Sequence, residues 1–180
     1  GSKLSNASKA KEIPLANLHV SLGWFDLNTF LADPGYEQKE TIETGCKAAA
    51  FGGFTNICCM PTTNPVTQTK SQIEYVLQKS ADEIVKVYPL GAVTENTQGN
   101  ELAELYDMHK AGAIAFSDGL HPSASAGMVE RALLYVKAFD GLIMNHPEEK
   151  SISKNGVMHE GVTSTKLGLP SAPAVAEEIS

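Results

Sequence analysis

Five short runs of apolar and β-branched residues recur along the chain, at residues 22–31, 54–60, 84–93, 113–117 and 141–145, and a helical pattern follows each. Their starts lie about 30 residues apart, which is the length of one strand–helix–strand step. The runs are near-continuously apolar rather than alternating, as parallel strands covered on both faces require. Between them the periodicity changes to that of amphipathic helices. A helix over 39–51 is closed by Gly52-Gly53, and a second begins at Ser71 with Ile73, Val76 and Leu77 on one stripe. Leu102 and Leu105 share a stripe that Gly112 stops, and Val129, Ala132, Leu133 and Val136 give the fullest i, i+3, i+4, i+7 pattern. The class is therefore α/β. Two architectures accommodate five such units: a doubly wound five-stranded sheet, complete at this length, or part of an eight-stranded TIM barrel of about 250 residues. Periodicity alone does not choose between them. In both, function sits where strands end and loops begin.

Composition narrows the function classes. With 42% hydrophobic and 19% charged residues the chain has enough apolar material for one domain with a core. Its net charge of -7 attracts neither a nucleic-acid backbone nor an anionic membrane surface. No apolar run approaches the roughly 18 residues of a membrane span, and the polar start lacks the apolar stretch of a signal peptide. Three cysteines, Cys46, Cys58 and Cys59, without C-x-x-C spacing argue against a disulfide framework and against a thiolate zinc site. A reducing cytoplasm suits all three.

The strand ends carry the informative residues. Asp33-Pro34-Gly35 follows the first run, with Lys39-Glu40 and Glu43-Thr44-Gly45 behind it. The second run ends Met60-Pro61-Thr62-Thr63-Asn64-Pro65, the fourth Ser117-Asp118-Gly119, and the fifth Asn145-His146-Pro147-Glu148-Glu149. Glu160-Gly161, Leu167-Gly168-Leu169 and Ala176-Glu177-Glu178 come after. In order and spacing this series resembles the dihydroorotases of the cyclic amidohydrolases, over roughly residues 15–180. The resemblance implies a TIM barrel of the metal-dependent hydrolase type, of which about the first five βα units are present. Residues 1–19 then form a stub leading from a small β-sandwich, and 20–180 the partial barrel. It also implies zinc at the C-terminal face and interconversion of N-carbamoyl-aspartate and dihydroorotate in pyrimidine biosynthesis. A metal-bound hydroxide there attacks the ring amide.

Against that pattern several positions are changed. The family's first strand ends His-x-His-x-Arg before Asp-Pro-Gly, and counting back from Asp33 puts Asn28 and Phe30 at the histidines and Ala32 at the arginine. Phenylalanine has no lone pair for zinc, an amide oxygen is a poor substitute for imidazole, and alanine cannot clamp a carboxylate. Thr62 replaces the substrate-binding asparagine of the Met-Pro-Asn-Thr motif, and with Asn64 it is the substrate-contact candidate in this segment. Asp118 matches the metal-bridging aspartate of some members and His146 the fifth-strand histidine ligand. Asp118 reads equally as a strand-end turn residue, and His146 as a loop residue. His121, in the loop after Asp118, reads as a solvated loop histidine within reach of the same cleft, His109 as structural, His19 as far from the active face, and His159 as not catalytic. Two ligands hold zinc poorly, so little or no metal is expected.

Three functions follow from the resemblance: a dihydroorotase-like hydrolase with an impaired site, a non-catalytic relative serving as scaffold for aspartate transcarbamoylase, and a hydantoinase- or allantoinase-like hydrolase. An incomplete barrel would leave strand edges that need covering, so homo-oligomerisation is expected.

Overall fold

The computed structural model describes residues 16–121 and 125–179. Most of the stub expected at 1–19 lies outside the described residues. Four parallel strands, β1 (Trp24–Thr29), β2 (Phe54–Cys59), β3 (Lys86–Gly91) and β4 (Ala115–Phe116), pair in the order β1-β2-β3-β4. That sequential order decides between the two architectures. A doubly wound sheet reverses direction at a switch point, giving an order such as 2-1-3-4-5, whereas a barrel wall adds each strand beside the last. The sheet is a curled half-barrel. The fifth run joins β4 through a parallel bridge between Phe116 and Ile143, with Phe116 N–H donating to Leu142 O and Met144 N–H to Phe116 O.

Side-chain alternation sorts the two faces. Ile57, Cys59 and Val87 join Leu31, Ile42, Cys46, Val76 and Val85 on the helix side. Cys58, Met60, Leu90 and Ala115 form a separate cluster on the opposite face, with Tyr88 and Met144 against it. A third cluster, around Ile73, Leu105, Met108, Phe116, Ala132 and Val136, ties the later helices to β4. The three thiols are free and buried, and burial pushes Cys46 up to about 11 and Cys59 up to about 12. They act as small hydrophobes.

The helices are α1 (Ile42–Phe51), α2 (Lys70–Lys79), α3 (Leu105–Ala111), α4 (Ala126–Val136), α5 (Lys150–Ser153), α6 (Val162–Leu167) and α7 (Val175–Glu178). The first starts three residues later than the periodicity suggests, because Thr41 caps it. Thr41 Oγ1 accepts from Thr44 N–H and Thr44 Oγ1 accepts from Thr41 N–H, which leaves Lys39 and Glu40 in the preceding turn. Glu43 is the acidic residue of the first turn. In α4 the buried stripe is Met128, Ala132 and Val136, while Leu133 is exposed. The remaining strands, β5 (Met158–His159) and β6 (Ser171–Ala172), make a separate parallel pair.

Candidate functional site

At the C-terminal ends of β1, β2 and β4 the loops enclose a cleft of about 430 Å³. The end of β1 contributes Asn28, and Phe30 follows just after the strand. Register slips between Asp26 and Thr29, and the Asp26 carboxylate holds this bulge by accepting from Asn28 N–H at 3.0 Å and Thr29 Oγ1 at 2.8 Å. The loop after β1 adds Tyr36 and Lys39, the segment after β2 adds Met60 and Thr62, and the loop after β4 adds Leu120 and His121. The Phe30 and Tyr36 rings lie 6.5 Å apart, and Lys39 Nζ stands 5.2 Å from the Tyr36 ring centroid. A smaller hollow of about 90 Å³ adjoins it, where Asn28, Ser117 and Met144 meet His146.

A buried carboxylate presents the Tyr36–Lys39 turn. Asp33 is fully buried and accepts from Tyr75 Oη at 2.8 Å and Ile42 N–H at 3.3 Å. Lys79 Nζ pairs with it at 2.7 Å. Burial alone would raise the Asp33 pKa, but the bonds from Lys79, Tyr75 and Ile42 outweigh it and hold the carboxyl below its ordinary range. Tyr36 N–H then donates to Ala32 O at 2.8 Å, closing the turn. Gly35 has φ +98°, and a Cβ there would lie 1.9 Å from Asn64 O, so this position admits only glycine.

Asp118 is committed elsewhere. Its Oδ1 accepts from Val93 N–H at 2.9 Å and Thr94 N–H at 3.0 Å, and its Oδ2 from Thr94 Oγ1 at 2.6 Å. Burial pushes its pKa up, and the bonds from Thr94 and Val93 offset this only in part. The carboxylate thereby fastens the loop after β3, in which Asn96 and Thr97 both adopt left-handed φ, 53° and 55°. Gln68 Oε1 accepts from Asn96 N–H, and Thr97 Oγ1 lies 3.1 Å from His121 Nδ1. Asp118 thus orders the loop that seats His121.

Of the sequence candidates, Asn28, Phe30 and Thr62 line the cleft, and His146 borders the adjoining hollow with its ring 3.9 Å from Glu148. Ala32 is wholly buried, and neither Asp118 nor Asn64 is among the described residues lining the cleft. Asn64 instead packs its backbone on Gly35, its N–H donating to Pro34 O. Nothing in the sequence placed the Tyr36 and Lys39 side chains in the cleft, because their place depends on the Asp33 anchor. The residues present do not fit a zinc centre. Phe30 offers no donor, the oxygens of Asp118 already serve three hydrogen-bond donors, and no group of three or more His, Cys, Asp or Glu among the described residues is placed to hold a metal ion.

The Dihydro-orotase-like family model matches residues 19–179. The chain belongs to that family. Dihydroorotase from Desulfotalea psychrophila is 47% identical over 165 residues, covering 92% of this chain and 39% of that protein. Dihydroorotase from Pelotomaculum thermopropionicum is 44% identical over 174 residues, covering 97% of this chain and 41% of that one. This dihydro-orotase-like chain therefore spans about two-fifths of those relatives' length. Among solved structures, the L-hydantoinase (dihydropyrimidinase) from Arthrobacter aurescens aligns with a TM-score of 0.59 at 25% identity, over 73% of this chain and 30% of that chain. That similarity agrees with the half-barrel. No helix among the described residues is long and apolar enough to cross a membrane.

Proposed function

We propose that this dihydro-orotase-like protein keeps the family's barrel wall and cleft but has lost metal-dependent hydrolysis of the dihydroorotate ring amide, and serves as a binding body. The observation that carries this is Asp118. The one carboxylate at a metal-bridging position is saturated by Val93 and Thr94, while the two first-strand ligand positions hold Asn28 and Phe30. Those changes go together with Ala32 and Thr62 at the substrate-contact positions. The surrounding frame, by contrast, is kept closely enough for 47% identity. A hydantoinase-like activity has less support, since the hydantoinase similarity is 25%.

Dihydroorotate turnover in the protein at its full native length, with and without added zinc, tests the proposal. Turnover indistinguishable from the uncatalysed background in both conditions is expected; zinc-stimulated turnover would overturn it. Aspartate transcarbamoylase is the partner that resemblance to non-catalytic relatives suggests. Co-migration of the two on gel filtration is the expected result, and separate elution would reject that partner.

A further inference from the structure

Once the donors are gone, the same cleft has a different chemistry. Phe30 and Tyr36 supply two flat apolar surfaces, and Met60 and Leu120 extend the apolar wall. No carboxylate is among the described lining residues, whereas Lys39 and His121 both are. Lys39 is exposed and forms no ion pair among the described residues; its ammonium stands over the Tyr36 ring. His121 is held at Nδ1 by Thr97, leaving Nε2 as its other polar atom. The volume of about 430 Å³ suits a one- or two-ring molecule.

We infer that this cleft binds a small aromatic carboxylate, its ring between the Phe30–Tyr36 pair and Met60, and its anionic group toward Lys39 and His121. The preference follows from desolvation. A ring with amide groups around its rim, like that of dihydroorotate, would turn part of that rim to Phe30, Met60 and Leu120, with only Asn28, Thr62 and the Tyr36 hydroxyl among the uncharged lining side chains able to pair with it, while an unsubstituted aromatic face has no hydrogen-bonding group to strip of water. The carboxylate meets a cation on an otherwise uncharged wall, which gives orientation as well as attraction. The inference rests on the proposal above that no metal occupies this cleft.

The probe is 2-naphthoate, titrated into the full-length protein by calorimetry, with 2-naphthamide as its uncharged counterpart. Saturable naphthoate binding at about 1 mM or tighter is expected for a ligand of this size in a half-open site, with dihydroorotate at least about tenfold weaker. Lys39→Gln should weaken naphthoate about tenfold and leave the amide unchanged, while Phe30→Ala should weaken both. Both side chains are exposed enough for the variants to fold. Absence of saturable binding, or binding that neither variant alters, would overturn the inference. Zinc-stimulated turnover of dihydroorotate by the same preparation separates the two failures: turnover sinks the loss of hydrolysis, whereas missing naphthoate binding without turnover sinks the ligand alone.

Discussion

At Asp118 burial disfavours the charge that three donors favour, and burial prevails, so its folded pKa lies above the unfolded one. The stability this group contributes is present below the unfolded pKa and lost as pH rises through the folded pKa. Asp33 has the opposite sign. Its folded pKa is depressed, so its contribution is present above the unfolded pKa and lost as pH falls through the folded one. Asp118→Ala strands Val93 N–H, Thr94 N–H and the Thr94 hydroxyl, and should cost about 3 kcal/mol in urea unfolding. Asp118→Asn keeps an acceptor for both amides. It should cost less than about 1 kcal/mol and remove the loss of stability with rising pH. A metal-ligand role without the structural one would instead leave the stability of Asp118→Ala near that of the parent. Lys79→Met leaves a buried carboxylate unpaired. The expected cost is about 2 kcal/mol, below that of a fully buried pair because the Lys79 side chain is 41% exposed. A stability curve that no longer steepens in acid is the accompanying signature.

Strands and helices were readable from sequence wherever a local pattern determines them. The runs at 54–60 and 84–93 became β2 and β3, and Gly112 stops α3 with φ +116°, as a left-handed cap requires. What depended on distant partners was not readable. Asp33 meets Tyr75 and Lys79 more than forty positions away, so the motif Asp-Pro-Gly gave no hint of the ion pair that presents Tyr36 and Lys39. The α4 stripe was right at Ala132 and Val136, which join the cluster around Phe116, but Met128 is buried where Leu133 was expected to be, and Leu133 is exposed. Of the candidate residues, Asn28, Phe30 and Thr62 lie along one cleft, an arrangement that no local pattern in the sequence shows. Thr41→Ala removes the cap of α1 and should cost about 1 kcal/mol by thermal or urea unfolding. Leu133→Ala, on the exposed side of α4, should change stability by less than about 0.5 kcal/mol, whereas Met128→Ala should cost about 3 kcal/mol.

In the molecule as a whole, β1 is an edge of the sheet among the described residues, and Trp24, Phe25 and Leu27 there are 63%, 48% and 55% exposed. A groove of about 220 Å³ between β1 and α1, lined by Leu31, Ala48, Ala49 and Phe54, continues this apolar surface. Exposed strand edges with apolar side chains associate. The 180-residue chain by itself should therefore form dimers or larger species in light scattering at about 10 μM, and a monodisperse monomer would show that this edge is already satisfied. The central claim concerns the cleft at the C-terminal ends of the strands, which Asn28 and Phe30 line, and the nearby Asp118, whose oxygens are taken up by Val93 and Thr94. Elemental analysis of zinc per chain, on the protein at its full native length after exhaustive dialysis, tests it most directly. Zinc near zero is the predicted result; zinc approaching one per chain would contradict the account and return metal-dependent hydrolysis to the cleft.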